Sequence, residues 1–312
     1  MPIESSQGVQ GRLRAEADSP AERLRRLVLQ VARKSVLARK IRGILGNEEL
    51  DNEEFVPYRG YRLPPRGLRG RMCGEAFRSD AFFLQSAVVE ATRLPARLGY
   101  TRTSRLVDVG CGLGRLATGL LVEFGDVGYL GLDANREFVG WCQEHIERYH
   151  PSFRFMHVDV VNELYNPSGT VDGNKIRLPV ANASADIVYM WGVFTNMAPE
   201  HVQIYVSELS RIARDGGKVF LTAFVEDDVP EVSFNPTGYV PYDCSAPLVV
   251  VRYNRQWLFS LFSRHGLMVD DFRYHGGMFP KQSEICLTKI ESPPVPAYTR
   301  DKESAAQPSR CT

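Results

Sequence analysis

The chain has 312 residues, 44% hydrophobic and 24% charged, with a formal net charge of +1. These proportions fit a soluble globular protein and give no argument for bulk nucleic-acid binding. Six scattered cysteines (Cys73, Cys111, Cys142, Cys244, Cys286, Cys311) form no Cys-x-x-Cys pair, which excludes a zinc ribbon and a disulfide framework and leaves free thiols in a reducing cytosol.

The charge is uneven: residues 1–72 carry 15 Lys/Arg against 9 Asp/Glu. Residues 1–18 are polar and read as disordered. Ser19, Pro20 and Glu22 form a helix start, with Ser19 as N-cap and Glu22 closing a capping box. Leu24, Leu27, Val28 and Val31 then make one apolar stripe, and eight basic residues between Arg23 and Arg42 surround it. Gly43 and Gly46 end the pattern. A basic amphipathic helix over 19–46 suits peripheral contact with an anionic membrane. The alternatives are a helix packed on the domain with its arginines solvated, or a nucleic-acid contact. No apolar run reaches the ~20 residues of a membrane span, and no signal-peptide core is visible. The expected location is therefore cytoplasmic, with or without that peripheral contact.

Residues 47–75 contain Pro57, Gly60, Pro64, Pro65, Gly67, Gly70 and Gly74, interleaved with Phe55, Tyr58, Arg59, Tyr61 and Arg62. That composition rejects a helix and predicts a loop, either a lid or a linker. Ser79–Leu94 reads as a helix, leading through 95–103 to a first strand. Arg105-Leu-Val-Asp-Val-Gly-Cys-Gly-Leu-Gly-Arg115 is a short apolar strand that runs into three alternate glycines and then a helix. The loop therefore ends on a helix N-terminus, which favours an anionic ligand group. A dinucleotide fingerprint needs Gly-x-Gly-x-x-Gly, but here Arg115 stands where its third glycine would be.

Further apolar strands follow at Tyr129–Asp133, Phe153–Asp159, Ala185–Trp191 and Gly216–Phe224, with helical patterns near 135–148 and 199–214. A last helix near 254–264 precedes closing strands around 267–272 and 283–290. Residues 160–178 and 226–252 read as insertions, and 291–312 as a disordered tail. Alternating strands and helices argue an open α/β sheet. Ligands of such sheets bind at the carboxyl ends of the strands, where Asp108, Asp133, Asp159 and Trp191 all fall.

The acid-x-Gly-x-Gly-x-Gly motif, the acid Asp133 ending the second strand and the Leu178-Pro-Val-Ala-Asn-Ala-Ser entry to the fourth resemble the class I S-adenosylmethionine-dependent methyltransferases. The Gly216-Gly217 turn fits as well, although Asp215 replaces the usual proline. The resemblance covers about residues 76–290. It implies a seven-stranded, mostly parallel Rossmann-like sheet of order 3-2-1-4-5-7-6, with residues 1–75 as an N-terminal extension. It implies S-adenosylmethionine as cofactor and S-adenosylhomocysteine as product. It places Asp108, Gly110, Cys111, Gly112, Gly114 and Arg115 at the methionine part, Asp133 and Ala134 at the ribose, Asp159 and Val160 at the adenine, and Trp191 at the methyl group.

Phe194, Asn196 and Tyr242 are the candidate acceptor-site residues. Base candidates are His201, His275 and Asp243; similar sequences carry histidine where this chain has Asn196. The methyl on a sulfonium is already activated, so the protein must align the acceptor and take its proton, and this chemistry requires no metal. Neither an Asn/Asp-Pro-Pro-Tyr motif nor a paired-glutamate loop is present. The expected acceptor is thus a hydroxyl of a small molecule, carbohydrate or lipid. The alternatives are an RNA or protein acceptor docked through the basic segment, and a non-catalytic cofactor-binding scaffold. Oligomeric state is not legible.

Overall fold

A computed structural model describes residues 54–162, 165–241 and 248–290. The expected basic helix over 19–46, the tail 291–312, Tyr242 and Asp243 lie outside the described residues.

Five strands run parallel through the centre: β3 (Leu106–Val109), β4 (Tyr129–Asp133), β5 (Phe153–His157), β6 (Ala185–Met190) and β7 (Ala213–Glu226). With β10 (Leu267–Arg273) and β11 (Gln282–Lys289) the spatial order is β10-β11-β7-β6-β3-β4-β5. Renumbered within this set, that is the expected 3-2-1-4-5-7-6. β11 is antiparallel to both neighbours. Two short strands extend the seven: β8 (Val232–Phe234) pairs with β9 (Val251–Asn254), and β9 pairs with the end of β7. β8 arises within the expected 226–252 insertion and β9 runs past its end, with Val251 and Tyr253 alternating inward and fully buried.

Helices cover both faces, which is why the central strands read as apolar runs rather than alternating ones. On one face lie α2 (Asp80–Leu98), α3 (Arg115–Phe124) and α4 (Arg136–Cys142). On the other lie α5 (Pro199–Ile212) and α6 (Arg255–Arg264). β3 shows the division: Leu106 packs with Leu116 and Leu120, while Val107 and Val109 pack with Val206 and Leu209. The close approach of α2 and α3 depends on Gly119, where a Cβ would stand 2.0 Å from the Ala87 carbonyl oxygen.

Of the expected loop over 47–75, the described part from residue 54 is instead a hairpin, β1 (Val56–Tyr58) with β2 (Tyr61–Leu63), followed by the helix α1 (Arg66–Cys73). Pro65 occupies the N-cap position, where its missing N–H costs nothing. Gly67 and Gly70 are tolerated inside the helix because tertiary contacts hold it. Arg69 is fully buried and pairs with Asp80, Arg66 donates to the same carboxylate at 2.6 Å, and Gly70 leaves room for the Arg78 side chain. α2 also runs past its expected end at Leu94, through Pro95 to Leu98, and stops at Gly99 in the left-handed conformation. No helix among the described residues is long and apolar enough to cross a membrane.

Candidate active site

The carboxyl ends of β3, β4, β5 and β6 open on one cavity, walled by Asp108, Gly110, Cys111, Gly112, Arg115, Asp133, Ala134, Val160, Trp191 and Asn196 among others. The glycine loop between β3 and α3 takes positive φ at Gly110 (81°), Gly112 (52°) and Gly114 (69°). Protein atoms, rather than open space, face these glycines. A Cβ would stand 2.3 Å from Val193 Cγ2 at Gly110 and 2.3 Å from Met72 Sδ at Gly112.

Asp133, ending β4, locks the loop in place. Its Oδ2 accepts the Gly112 N–H and its Oδ1 the Asn135 N–H, both at 2.7 Å. Each carboxylate oxygen keeps a lone pair for a ligand donor. Burial holds its pKa above the ordinary carboxylate range, against these two amides. Asp108 is 3% exposed and accepts the Tyr129 hydroxyl at 2.6 Å. Burial pushes it up to about 7, and the Tyr129 hydrogen bond and the Arg115 charge only partly oppose this. Arg115, also buried, lies 4.3 Å from the Trp191 ring centre and donates to the Ser86 carbonyl at 3.2 Å.

Of the other residues expected at the site, Asn196 reaches the cavity wall and the rest of those described do not. Asp159 does not wall the cavity; Asn166 and Thr170 donate to its carboxylate at 3.1 and 2.6 Å and fold the 160–178 insertion back on itself. Gly114 packs on Ile146 and Cys142 beneath the loop. Phe194 is fully buried in the core. Asn196 does reach the cavity and donates to the Leu248 and Val249 carbonyls at 3.1 and 2.6 Å. His201 lies against Gly173, outside the wall. His275 is also outside; its Nε2 is 2.9 Å from Glu226 Oε1, and Tyr239 and Tyr274 donate to the same carboxylate.

Sequence reasoning missed several wall residues. Met72 and Cys73 come from α1, and Met72 Sδ accepts the Leu113 N–H at 3.0 Å. Burial pushes the Cys73 thiol up to about 12. Tyr165 comes from the 160–178 insertion, Tyr189 from β6 and Tyr205 from α5. Phe279, between β10 and β11, does not wall the cavity but stands 5.2 Å from the Trp191 ring. No periodicity or motif marks Met72, Tyr165 or Phe279. Tyr189 was visible only as part of an apolar strand.

A family model described as "methyltransferase domain" matches residues 107–219, the stretch from β3 into β7 that builds most of this cavity. Over these residues, and in its strand order, the chain is similar to the class I S-adenosylmethionine-dependent methyltransferases. S-adenosylmethionine is the cofactor of this family, and the cavity fits it: Asp133 offers free lone pairs at the end of β4, and Gly192 leaves open space beside Trp191. Among curated proteins, the chain is 27% identical over 179 residues to tRNA N(3)-cytidine methyltransferase METTL2 of Gallus gallus, covering 54% of this chain and 44% of that one. It is 28% identical over 140 residues to METTL2B of Homo sapiens, covering 44% and 34%. The chain thus spans less than half the length of these relatives. Among solved structures, a TehB-like methyltransferase of Corynebacterium glutamicum has a TM-score of 0.42 at 16% identity, covering 64% of this chain and 86% of that one. Magnesium protoporphyrin IX methyltransferase of Synechocystis, solved with S-adenosylhomocysteine, gives 0.45 at 14% identity, covering 66% and 83%.

Proposed function

We propose that this protein moves the methyl group of S-adenosylmethionine to a hydroxyl oxygen of a small molecule, glycan or lipid. The wall composition supports the reading most. On the acceptor side it is apolar, with Val193, Met197 and Trp191, and the Asn196 amide is already engaged by Leu248, Val249 and Thr195. Arg115 is the only Lys or Arg among the described wall residues, and its guanidinium is already stacked on Trp191. Such a wall suits a largely neutral acceptor.

The cofactor supplies an electrophilic methyl group on a positively charged sulfur. The protein's share is to hold the ribose through Asp133, to keep water out with α1 and the 160–178 insertion, and to align the acceptor beside Trp191 and Asn196. Of the base candidates, His275 has the orienting partner a general base needs, in Glu226. Its position requires an acceptor that extends from the cavity toward the end of β7. His201 has no such partner among the described residues, and Asp243 stays a candidate on its place in the insertion alone.

A second reading, methylation of RNA, is favoured by the curated relatives, which are named as tRNA methyltransferases. One experiment separates the readings. The protein is incubated with methyl-labelled S-adenosylmethionine and a fractionated cell extract. Label in the small-molecule, glycan or lipid fractions supports the first reading. Label released by ribonuclease replaces it with the second. Tight S-adenosylhomocysteine binding with no transfer to any fraction indicates a cofactor-binding scaffold. A larger thermal stabilisation by NAD than by S-adenosylhomocysteine would overturn the cofactor assignment as well.

A further inference from the structure

A second cleft, between the start of α1 and α4, shares no wall residue with the cofactor cavity. Glu54, Glu144 and His145 meet there, each with one ligand atom turned inward, and those atoms lie within 4.8 Å of one another. Glu54 Oε1 is 3.8 Å from His145 Nε2, too far for a hydrogen bond. The His145 side chain is only 6% exposed, and its ring makes no hydrogen bond among the described residues.

The ring is held in place from outside the cluster. It stacks on Trp141 at 4.9 Å and 30°, and Phe55 stands 5.6 Å away. The Trp141 indole donates to the Glu54 carbonyl at 2.9 Å, which fixes the backbone carrying the carboxylate. The imidazole nitrogen thus faces two carboxylates at ion-pair rather than hydrogen-bond distance, which leaves its lone pair uncommitted among the described residues. The other charges in the cleft, Arg71 and Glu137, pair with each other at 3.0 Å. Among the described residues, Arg62, stacked on Phe55, is the one further cation that acts on His145, and it opposes the two remaining carboxylates, which leaves a net negative charge at the cluster.

We propose that Glu54, Glu144 and His145 bind a first-row divalent metal ion of the zinc, cobalt or manganese kind. One imidazole nitrogen and two carboxylate oxygens are a suitable donor set, with contacts of about 2.0–2.2 Å. Both glutamates are exposed, so their side chains can close the last ångström without moving the buried ring. Water fills the remaining positions. The ion fastens residue 54 to the helical turn Gln143–Glu147 that continues α4. The chain from residue 54 leads through the hairpin into α1, whose Met72 and Cys73 wall the cofactor cavity, so the ion acts as a clasp on that wall rather than as a catalyst.

The test uses the full chain and metal alone. Zn²⁺ is titrated by calorimetry, Co²⁺ by its visible absorption, and Tm is followed with each. The variants are Glu144→Gln and Glu54→Gln, both at exposed positions, with S-adenosylhomocysteine binding as the check on folding. The expected result is one saturable site per chain that raises Tm, weakened at least about tenfold in each variant. Wild-type affinity in both variants would place the metal on other residues and overturn the proposal. So would the absence of any saturable signal or Tm shift at millimolar metal.

Discussion

Strands β3 and β6 lie side by side, and each carries an aspartate near an opposite edge of the sheet. At the amino edge, Asp186 accepts the Arg105 backbone N–H at 2.7 Å and pairs with the Arg105 and Arg214 guanidinium groups. These hydrogen bonds and charges hold its carboxyl well below the usual range, although desolvation pulls the other way. At the carboxyl edge, Asp108 is buried with a neutral tyrosine hydroxyl as its hydrogen-bond donor, and its pKa rises to about 7. One carboxylate is compensated by cations and fastens three chain segments together. The other sits in apolar surroundings at a cost that the fold alone does not need. Carboxylates held in that way mark the working edge of the sheet.

The sharpest way to break this contrast is at the glycine loop. Gly110→Ala combines a left-handed φ of 81° with a Cβ placed 2.3 Å from Val193 Cγ2. S-adenosylhomocysteine affinity should fall by more than about 100-fold, roughly 3 kcal/mol, in calorimetry. Retained affinity would mean that the loop does not cradle the cofactor. Next comes Asp133→Ala, expected to weaken the same ligand by about 2–3 kcal/mol, because two ribose hydroxyls lose a charged acceptor. An unchanged dissociation constant would remove Asp133 from the site.

The third effect is a slope. Asp108 is raised in the folded state from 3.8 to about 7, so between those values the folded protein binds more protons than the unfolded chain. This group's contribution to stability therefore falls as pH rises from about 4 to about 7. Asp186 is shifted the other way; its stabilisation is present above the ordinary carboxylate range and is lost only on acidification. Asp108→Asn should flatten the decline in the Tm of ligand-free protein between pH 5 and pH 7, a window chosen from that shift. An identical slope in the variant would show that other groups carry it. The smallest effect is expected for Asp186→Asn. Its arginine partners are 60% and 47% exposed, so solvent screens the pairs and the loss should be about 1 kcal/mol at neutral pH. Cofactor affinity should not change, and a change would erase the distinction between the two edges.

Legibility followed the same division. The central strands β3, β4 and β6 were readable because each is a short, mostly apolar run between covered faces, and acids stand at or near the carboxyl ends of β3 and β4. Tyr129–Asp133 was read to the residue. The segment 54–78 was not, because its helix is held by an arginine–aspartate pair and by the packing of Arg78 over Gly70, contacts that span 8 to 14 residues and leave no periodic mark. β8 and β9 were hidden because each is only 3 or 4 residues long, and β9 gains its place from the end of β7 while β8 is held only by β9. At the site, the glycine loop, Asp133 and Trp191 were legible from motif and spacing. Met72, Tyr165 and Phe279 were not, since each arrives from an irregular segment whose path depends on tertiary packing. Asp159 shows the reverse: its place at the end of a strand was readable, but its capture by Asn166 and Thr170 depends on how the insertion folds.

The position of β11 has a consequence for how the molecule forms. The strand slots between β7 and β10, and its pairs run from Gln282↔Phe224 to Thr288↔Lys218. The first of these joins residues 58 positions apart. Until that late segment arrives, one whole edge of β7 is open, and Val219, Leu221, Ala223 and Val225 belong to an unfinished sheet. Pairing at such separations is slow, and an open apolar edge is a template for other chains. The hazard of aggregation is therefore concentrated in the interval before β11 inserts. In the finished protein the same insertion seals that edge.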